Sequence, residues 1–259
     1  LCGQQAHNYK FEGGGAAVLG SIQPQPLTNQ LDGTIALSEI EAAIKPDDIH
    51  FARTRLLSLE NTIGGKVLPQ TYLANAQALA FQRGLKIHLD GARVANAAVA
   101  QGIAIADIAV HFDSISICLS KGLCAPVGSL LLGDERLIKK ATRWRKMLGG
   151  GMRQAGSLAA AGIYALDHHV DRLKQDHQKA LLIKNALVKK DFVTEVFEVE
   201  TNIVIAKIEG KYNATRLASL LKEHHILVIA MTPALVRFVL HLDITDETLA
   251  TTIATIEKL

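Results

Sequence analysis

Short apolar runs alternate with helix-patterned stretches through most of the chain, and that alternation admits few folds. Leu56-Leu57-Ser58-Leu59 reads as a strand, Gln70 to Arg83 as a helix stopped by Gly84, and Leu85 to Leu89 as the next strand. Asp113 to Leu119 and Val127 to Leu132 add two more strands. Glu135 to Met147 is a basic helix ended by the glycines at 149 to 151, and Ala155 to Leu187 is a long helical region broken near His168-His169. Such repetition builds an α/β unit with a mainly parallel sheet, its faces covered by helices. The pattern then changes. Thr201 to Ile208, Ala214 to Leu221, Ile226 to Ile229, Val236 to Leu242 and Glu247 to Leu259 read strand, helix, strand, strand, helix, a smaller α+β domain. The division is expected near Leu173, giving domains of residues 1–172 and 173–259.

Charge and cysteine usage narrow the function classes. With 28 basic and 25 acidic residues interspersed and a net charge of +3, the chain has no basic stripe suited to nucleic acid or an anionic membrane. No apolar run approaches the roughly 20 residues that span a bilayer, and the start does not read as a signal peptide. Cys2, Cys118 and Cys124 are scattered without metal-ligand spacing, which fits a reducing cytoplasm and no metal. Asn213-Ala214-Thr215 matches a glycosylation sequon but reads as a helix start, and His168, His169, His224 and His225 read as helix-surface residues. A small-molecule enzyme remains the expectation.

In an open α/β sheet, ligands bind beyond the carboxyl ends of the strands. Two motifs fall there. Asp90, in His88-Leu89-Asp90-Gly91-Ala92-Arg93, closes one strand, and Lys121, in Leu119-Ser120-Lys121-Gly122-Leu123, lies in the loop after the next. A lysine beside a flexible glycine can attack an aldehyde, and a carboxylate at a strand end can hold a protonated ring nitrogen. Together they describe the requirements of pyridoxal phosphate (PLP), an electron-sink cofactor carried on lysine and tuned by an acid at its pyridine nitrogen. Taken singly, Ser-Lys-Gly and Asp-Gly are common surface turns. Arg93 can hold a carboxylate through two parallel hydrogen bonds, or open the next helix in solvent. Arg237, between Val236 and Phe238 on a strand, faces away from its apolar neighbours and meets either an anion or solvent.

His88 to Arg93, Ser114 to Leu123, Ala125-Pro126-Val127-Gly128-Ser129 and Gly149-Gly150-Gly151-Met152-Arg153-Gln154 resemble the low-specificity L-threonine aldolases, PLP enzymes of the aspartate aminotransferase fold, fold type I. The likeness runs from Gln5-Ala6-His7-Asn8-Tyr9 to Asp243. It implies PLP bound to Lys121, Asp90 at the pyridine nitrogen, Arg93 against the phenolic oxygen and the substrate carboxylate, and Arg237 clamping that carboxylate. It further implies that His7 stacks on the pyridine face and can move protons, that Phe11 lines the pocket, and that Lys146 and Arg153 lie near the site mouth and a subunit boundary. On charge pattern alone, the run around Lys146 is a solvated helix face. The implied activity is retro-aldol cleavage of L-threonine, L-allo-threonine and related β-hydroxy amino acids to glycine and acetaldehyde, by a homotetramer whose chains share active sites.

The chain departs from the family pattern in two places. Where the family commonly carries a histidine after Glu60-Asn61-Thr62, placed to help deprotonate the substrate hydroxyl, this chain has Ile63-Gly64-Gly65. Either His7 or a water does that work, directly or through the cofactor phosphate, or else the family histidine only orders the pocket and apolar packing replaces it. The family segment ahead of Leu1, with a Gly-Thr turn for the cofactor phosphate and a Ser-Asp stretch near the substrate, is absent from this sequence. Three other readings stay open: a serine hydroxymethyltransferase-like enzyme, which would need tetrahydrofolate; a β-eliminating lyase, which would release a 2-oxo acid and ammonia; and an inactive truncated homologue.

Overall fold

The computed structural model describes residues 1–259. Its first sheet has six strands: β1 (Cys2–Gly3), β2 (Pro26–Leu27), β3 (Leu56–Glu60), β4 (Lys86–Asp90), β5 (Ser114–Cys118) and β6 (Ser129–Gly133). They lie in the order β2-β1-β3-β4-β5-β6, parallel except for β6, which runs antiparallel to β5. Helices α1 (His7–Lys10), α2 (Gly15–Val18), α3 (Leu37–Ala43), α4 (Gln70–Gln82), α5 (Val94–Gln101) and α6 (Ile105–Ala109) fall between these strands. The alternating burial of β4 and β5 follows the two-residue period of a strand: Ile87, Leu89, Ile115 and Ile117 pack with Leu57, Leu59, Leu73 and Val94 in the larger core. The strand expected from Val127 starts two residues later, because the Gly128 carbonyl is used to accept the Leu119 N–H in the turn leading from β5.

Helices α7 (Glu135–Met147), α8 (Gly156–His168) and α9 (Leu173–Leu187) lead to the second sheet. This is antiparallel, ordered β7-β8-β10-β9, from β7 (Val193–Val196), β8 (Ile203–Ile208), β9 (Ile229–Ala230) and β10 (Leu235–Val239). Helices α10 (Ala214–Glu223) and α11 (Asp246–Lys258) complete it. The Asn213 side chain accepts the Arg216 N–H at 2.8 Å, so the sequon asparagine caps α10. Of the strand expected at Ile226 to Ile229 only the last residue pairs, in β9. A second core of Ala180, Ile183, Leu187, Phe192, Val204, Leu217, Val236 and Phe238 lies under this sheet. Helix α9 serves both cores, Leu173 in the first and Ala180 onward in the second.

Candidate active site

The parallel strands β3, β4 and β5 end on one edge, with Glu60 beside Asp90 and Asp90 beside Ser116 in register. Asp90 is the last residue of β4; its Oδ1 accepts the Ala92 N–H at 3.1 Å, and Oδ2 has no protein donor. The turn that follows requires glycine, because the Gly91 N–H reaches the Ser116 carbonyl at 2.8 Å and a Cβ at this position would stand 2.8 Å from the same oxygen. Arg93 then opens α5 from a largely buried position.

Lys121 lies in the β5–β6 loop, half-buried, as the sequence predicts. The loop is held by Cys124 N–H to the Lys121 carbonyl and Ala125 N–H to the Leu119 carbonyl, both 2.9 Å. The neighbouring Gly122 supplies room rather than flexibility: it is buried, and a Cβ there would lie 2.9 Å from Asn96 Oδ1 and 3.0 Å from Leu173. His169 corrects the expectation of a surface residue. Its Nδ1 is 2.6 Å from the Leu123 carbonyl, so it secures the lysine loop from the α8–α9 connection. Behind Gly122, Asn96 Nδ2 reaches His177 Nε2 at 3.1 Å, and burial pushes His177 down to about 4, leaving a neutral ring that can accept this bond.

The antiparallel sheet contributes Arg237 from β10, near enough to Arg93 that, after burial itself, the Arg237 guanidinium is the main cause lowering the Arg93 pKa. The Nε atoms of both arginines are buried without a hydrogen-bond partner. Two adjacent, incompletely satisfied guanidiniums are costly unless an anion meets them.

His7 reaches the same edge, its backbone N–H donating to Glu60 Oε2 at 2.6 Å. Its Nδ1 is 2.8 Å from Glu12 Oε1, and its ring lies 4.8 Å from that of Phe11. The sequence gives neither Glu12 nor Glu60 a role; Glu60 enters only as part of the Glu60-Asn61-Thr62 stretch, although it ends an apolar strand as Asp90 does. Burial raises the Glu60 carboxyl to about 7; the His7 amide opposes the rise, Asp90 adds to it, and Arg93 and Lys121 oppose it. The unfolded chain releases this proton near 4.5 and the folded chain near 7, so stability present below that window is lost as pH rises through it. Cofactor-free protein should lose on the order of 2 kcal/mol between pH 5 and pH 8. Urea unfolding at both pH values checks this, and Glu60→Gln should flatten the difference.

Lys146 and Arg153 are exposed, on α7 and after it, and no hydrogen bond or ion pair joins them to the strand-edge cluster. Ile63 is buried at 7% exposure in the larger core, with its Cγ2 only 2.4 Å from where a Cβ on Gly33 would stand. It is a packed apolar residue.

These residues suit PLP. Lys121 offers an amine that no protein group engages, Asp90 a carboxylate oxygen for a ring N–H, and the neighbouring Arg93 and Arg237 guanidiniums a paired positive charge for anionic oxygens. Comparison with known proteins agrees. The sequence model of the beta-eliminating lyase family matches residues 1–211. The chain is 52% identical over 250 residues to the low specificity L-threonine aldolase of Escherichia coli (strain K12), covering 96% of this chain and 74% of that one. It is 39% identical over 253 residues to low-specificity L-threonine aldolase 1 of Arabidopsis thaliana, covering 95% and 71%. Among solved structures, a threonine aldolase of Leishmania major superposes with a TM-score of 0.81 at 18% identity, covering 99% of this chain and 76% of that one, a likeness of fold. The chain belongs to the beta-eliminating lyase family of PLP-dependent enzymes, among its low-specificity L-threonine aldolases.

Proposed function

We propose that this protein cleaves L-threonine, L-allo-threonine and related β-hydroxy amino acids to glycine and an aldehyde, with PLP carried on Lys121. The observation that carries this reading is the convergence of Lys121, Asp90 and the paired Arg93 and Arg237 at one sheet edge. PLP, when bound, supplies an electron sink for the bond broken at the substrate α-carbon. Arg93 and Arg237, whose guanidiniums lie close to one another with no carboxylate paired to either, take the substrate carboxylate. Asp90 keeps a proton on the pyridine nitrogen, and its Gly91 turn holds it on the rigid end of β4. His7, held at this edge by its backbone hydrogen bond to Glu60, would cover the ring face. Because Glu12 engages Nδ1, the other nitrogen, Nε2, is the one able to accept the proton of the substrate β-hydroxyl. Phe11, its ring 4.8 Å from that of His7, would line this pocket, and the exposed Lys146 and Arg153 would lie near its mouth at a subunit boundary.

Edge strand β6 leaves Leu130, Leu131 and Leu132 exposed, and α7 buries no residue although it carries Trp144 and Met147. So much bare apolar surface supports association with further copies of the chain, as in the homotetramer the family likeness implies. No helix is long and apolar enough to cross a membrane. Three free thiols support the cytoplasm as its compartment. The second core begins at Ala180, within α9, which supports a domain division close to the one expected between residues 1–172 and 173–259.

The test is to incubate PLP-loaded protein with L-allo-threonine and quantify acetaldehyde and glycine. Equal amounts of both are expected without tetrahydrofolate; a 2-oxo acid with ammonia would instead reveal β-elimination. The position of Ile63 yields a further expected result. Replacing it with histidine buries an imidazole in apolar packing, so Ile63→His should lower stability by about 2 kcal/mol without raising acetaldehyde release. A faster rate with a new ionisation in the pH profile would mean that the chain lacks a base at this position.

A further inference from the structure

One acid at this strand edge, largely shielded from solvent, has no part in the proposed cleavage. Glu60 ends β3 in register with Asp90, accepts the His7 amide at 2.6 Å, and lies within electrostatic reach of Arg93 and Lys121. We propose that Glu60 is a proton-linked positioning residue of the substrate-anion site, taking up a proton when a carboxylate occupies the Arg93–Arg237 pair. This rests on the assignment of those arginines to the substrate carboxylate.

The argument is one of local charge. Glu60 faces a carboxylate from β4 (Asp90), a guanidinium from the start of α5 (Arg93), the Lys121 amine from the β5–β6 loop, and α1 through the His7 amide. Arg93 in turn faces Arg237, the Cys118 thiol and Asp90. An anion on the two arginines offsets the positive charge that helps keep Glu60 ionised, while leaving Asp90 beside it. The proton affinity of Glu60 therefore rises on binding. By reciprocity, protonated Glu60 favours the anion and ionised Glu60 repels it. With the acid poised at about 7, this exchange operates near neutral pH. The hydrogen bond from the His7 backbone N–H persists in both states, because one carboxyl oxygen accepts it whether or not the other carries a proton. His7 is thereby kept in place while the charge changes.

The probe is 3-hydroxybutyrate, a β-hydroxy acid without the amine that would engage the cofactor. Its binding to PLP-loaded protein is measured by calorimetry from pH 6 to pH 8.5 in two buffers of different ionisation enthalpy. For wild type the dissociation constant should rise about tenfold across this range, with proton uptake on binding. Glu60→Gln should bind with little pH dependence and take up no proton at Glu60. Equal pH dependence in wild type and Glu60→Gln would assign the titration to another group, such as His7, and overturn the proposal, as would a flat profile in wild type. If Glu60→Gln does not fold, Glu60→Asp gives the answer: its shorter, better solvated carboxyl should move the midpoint down by about one pH unit or more, and an unmoved midpoint overturns the proposal. Failure of the protein to take up PLP, seen in its absorption before any titration, would instead count against the functional reading itself.

Discussion

Lys121→Ala is expected to lower acetaldehyde release from L-allo-threonine by at least about 1,000-fold, since no other group at the sheet edge can carry the aldehyde of PLP. The fold should survive. The loop is held by its own backbone bonds, by His169 at Leu123 and by the packing of Gly122 against Asn96, and none of these uses the lysine side chain. A melting temperature close to that of wild type, together with lost turnover and loss of the absorption band of lysine-bound PLP, is the predicted combination. Wild-type turnover in the variant would remove Lys121 from the mechanism.

Asp90→Asn tests the other pole of the site. The substitution keeps volume, and its amide oxygen can still accept the Ala92 N–H, so the Gly91 turn should be preserved. What it removes is the charge that holds a proton on the pyridine nitrogen. Losing one preorganised electrostatic contact of this kind typically costs about 100- to 1,000-fold in turnover, and that is the loss expected here. PLP should still attach to Lys121, because attachment does not need the carboxylate. Steady-state assays of acetaldehyde release with matched PLP loading separate the two effects, and a rate within a few-fold of wild type would exclude the role.

The parts of this site that could be read in the sequence are those where chemistry and periodicity coincide. Asp90 and Lys121 follow successive apolar runs of strand length, which puts both at the carboxyl edge of a parallel sheet. Arg237 was legible for the same reason, alternating with Val236 and Phe238 on β10. The antiparallel course of β6 was not legible because a strand's apolar pattern is the same in either direction, and the two-residue strands β1 and β2 because such short elements are fixed by their neighbours rather than by their own pattern. Glu60 was missed because an isolated glutamate at a strand end looks like a solvated one; only the packing of α1 over it shows the burial. His169 was misread for the converse reason. It follows a helix in sequence and has an ordinary helical neighbour in His168, yet the turn into α9 brings its ring onto the Leu123 carbonyl. Gly122 looked like a hinge and is a space requirement, a distinction that depends on Asn96 and Leu173 arriving from distant segments.

The central claim is that one particular lysine carries the cofactor. Borohydride reduction of the PLP-loaded protein fixes that bond, and proteolysis followed by mass mapping locates it. Label on the peptide containing Leu119-Ser120-Lys121-Gly122-Leu123, and on Lys121 within it, is the predicted result. Stoichiometric label on any other lysine, or none on a protein that releases acetaldehyde, would contradict the account.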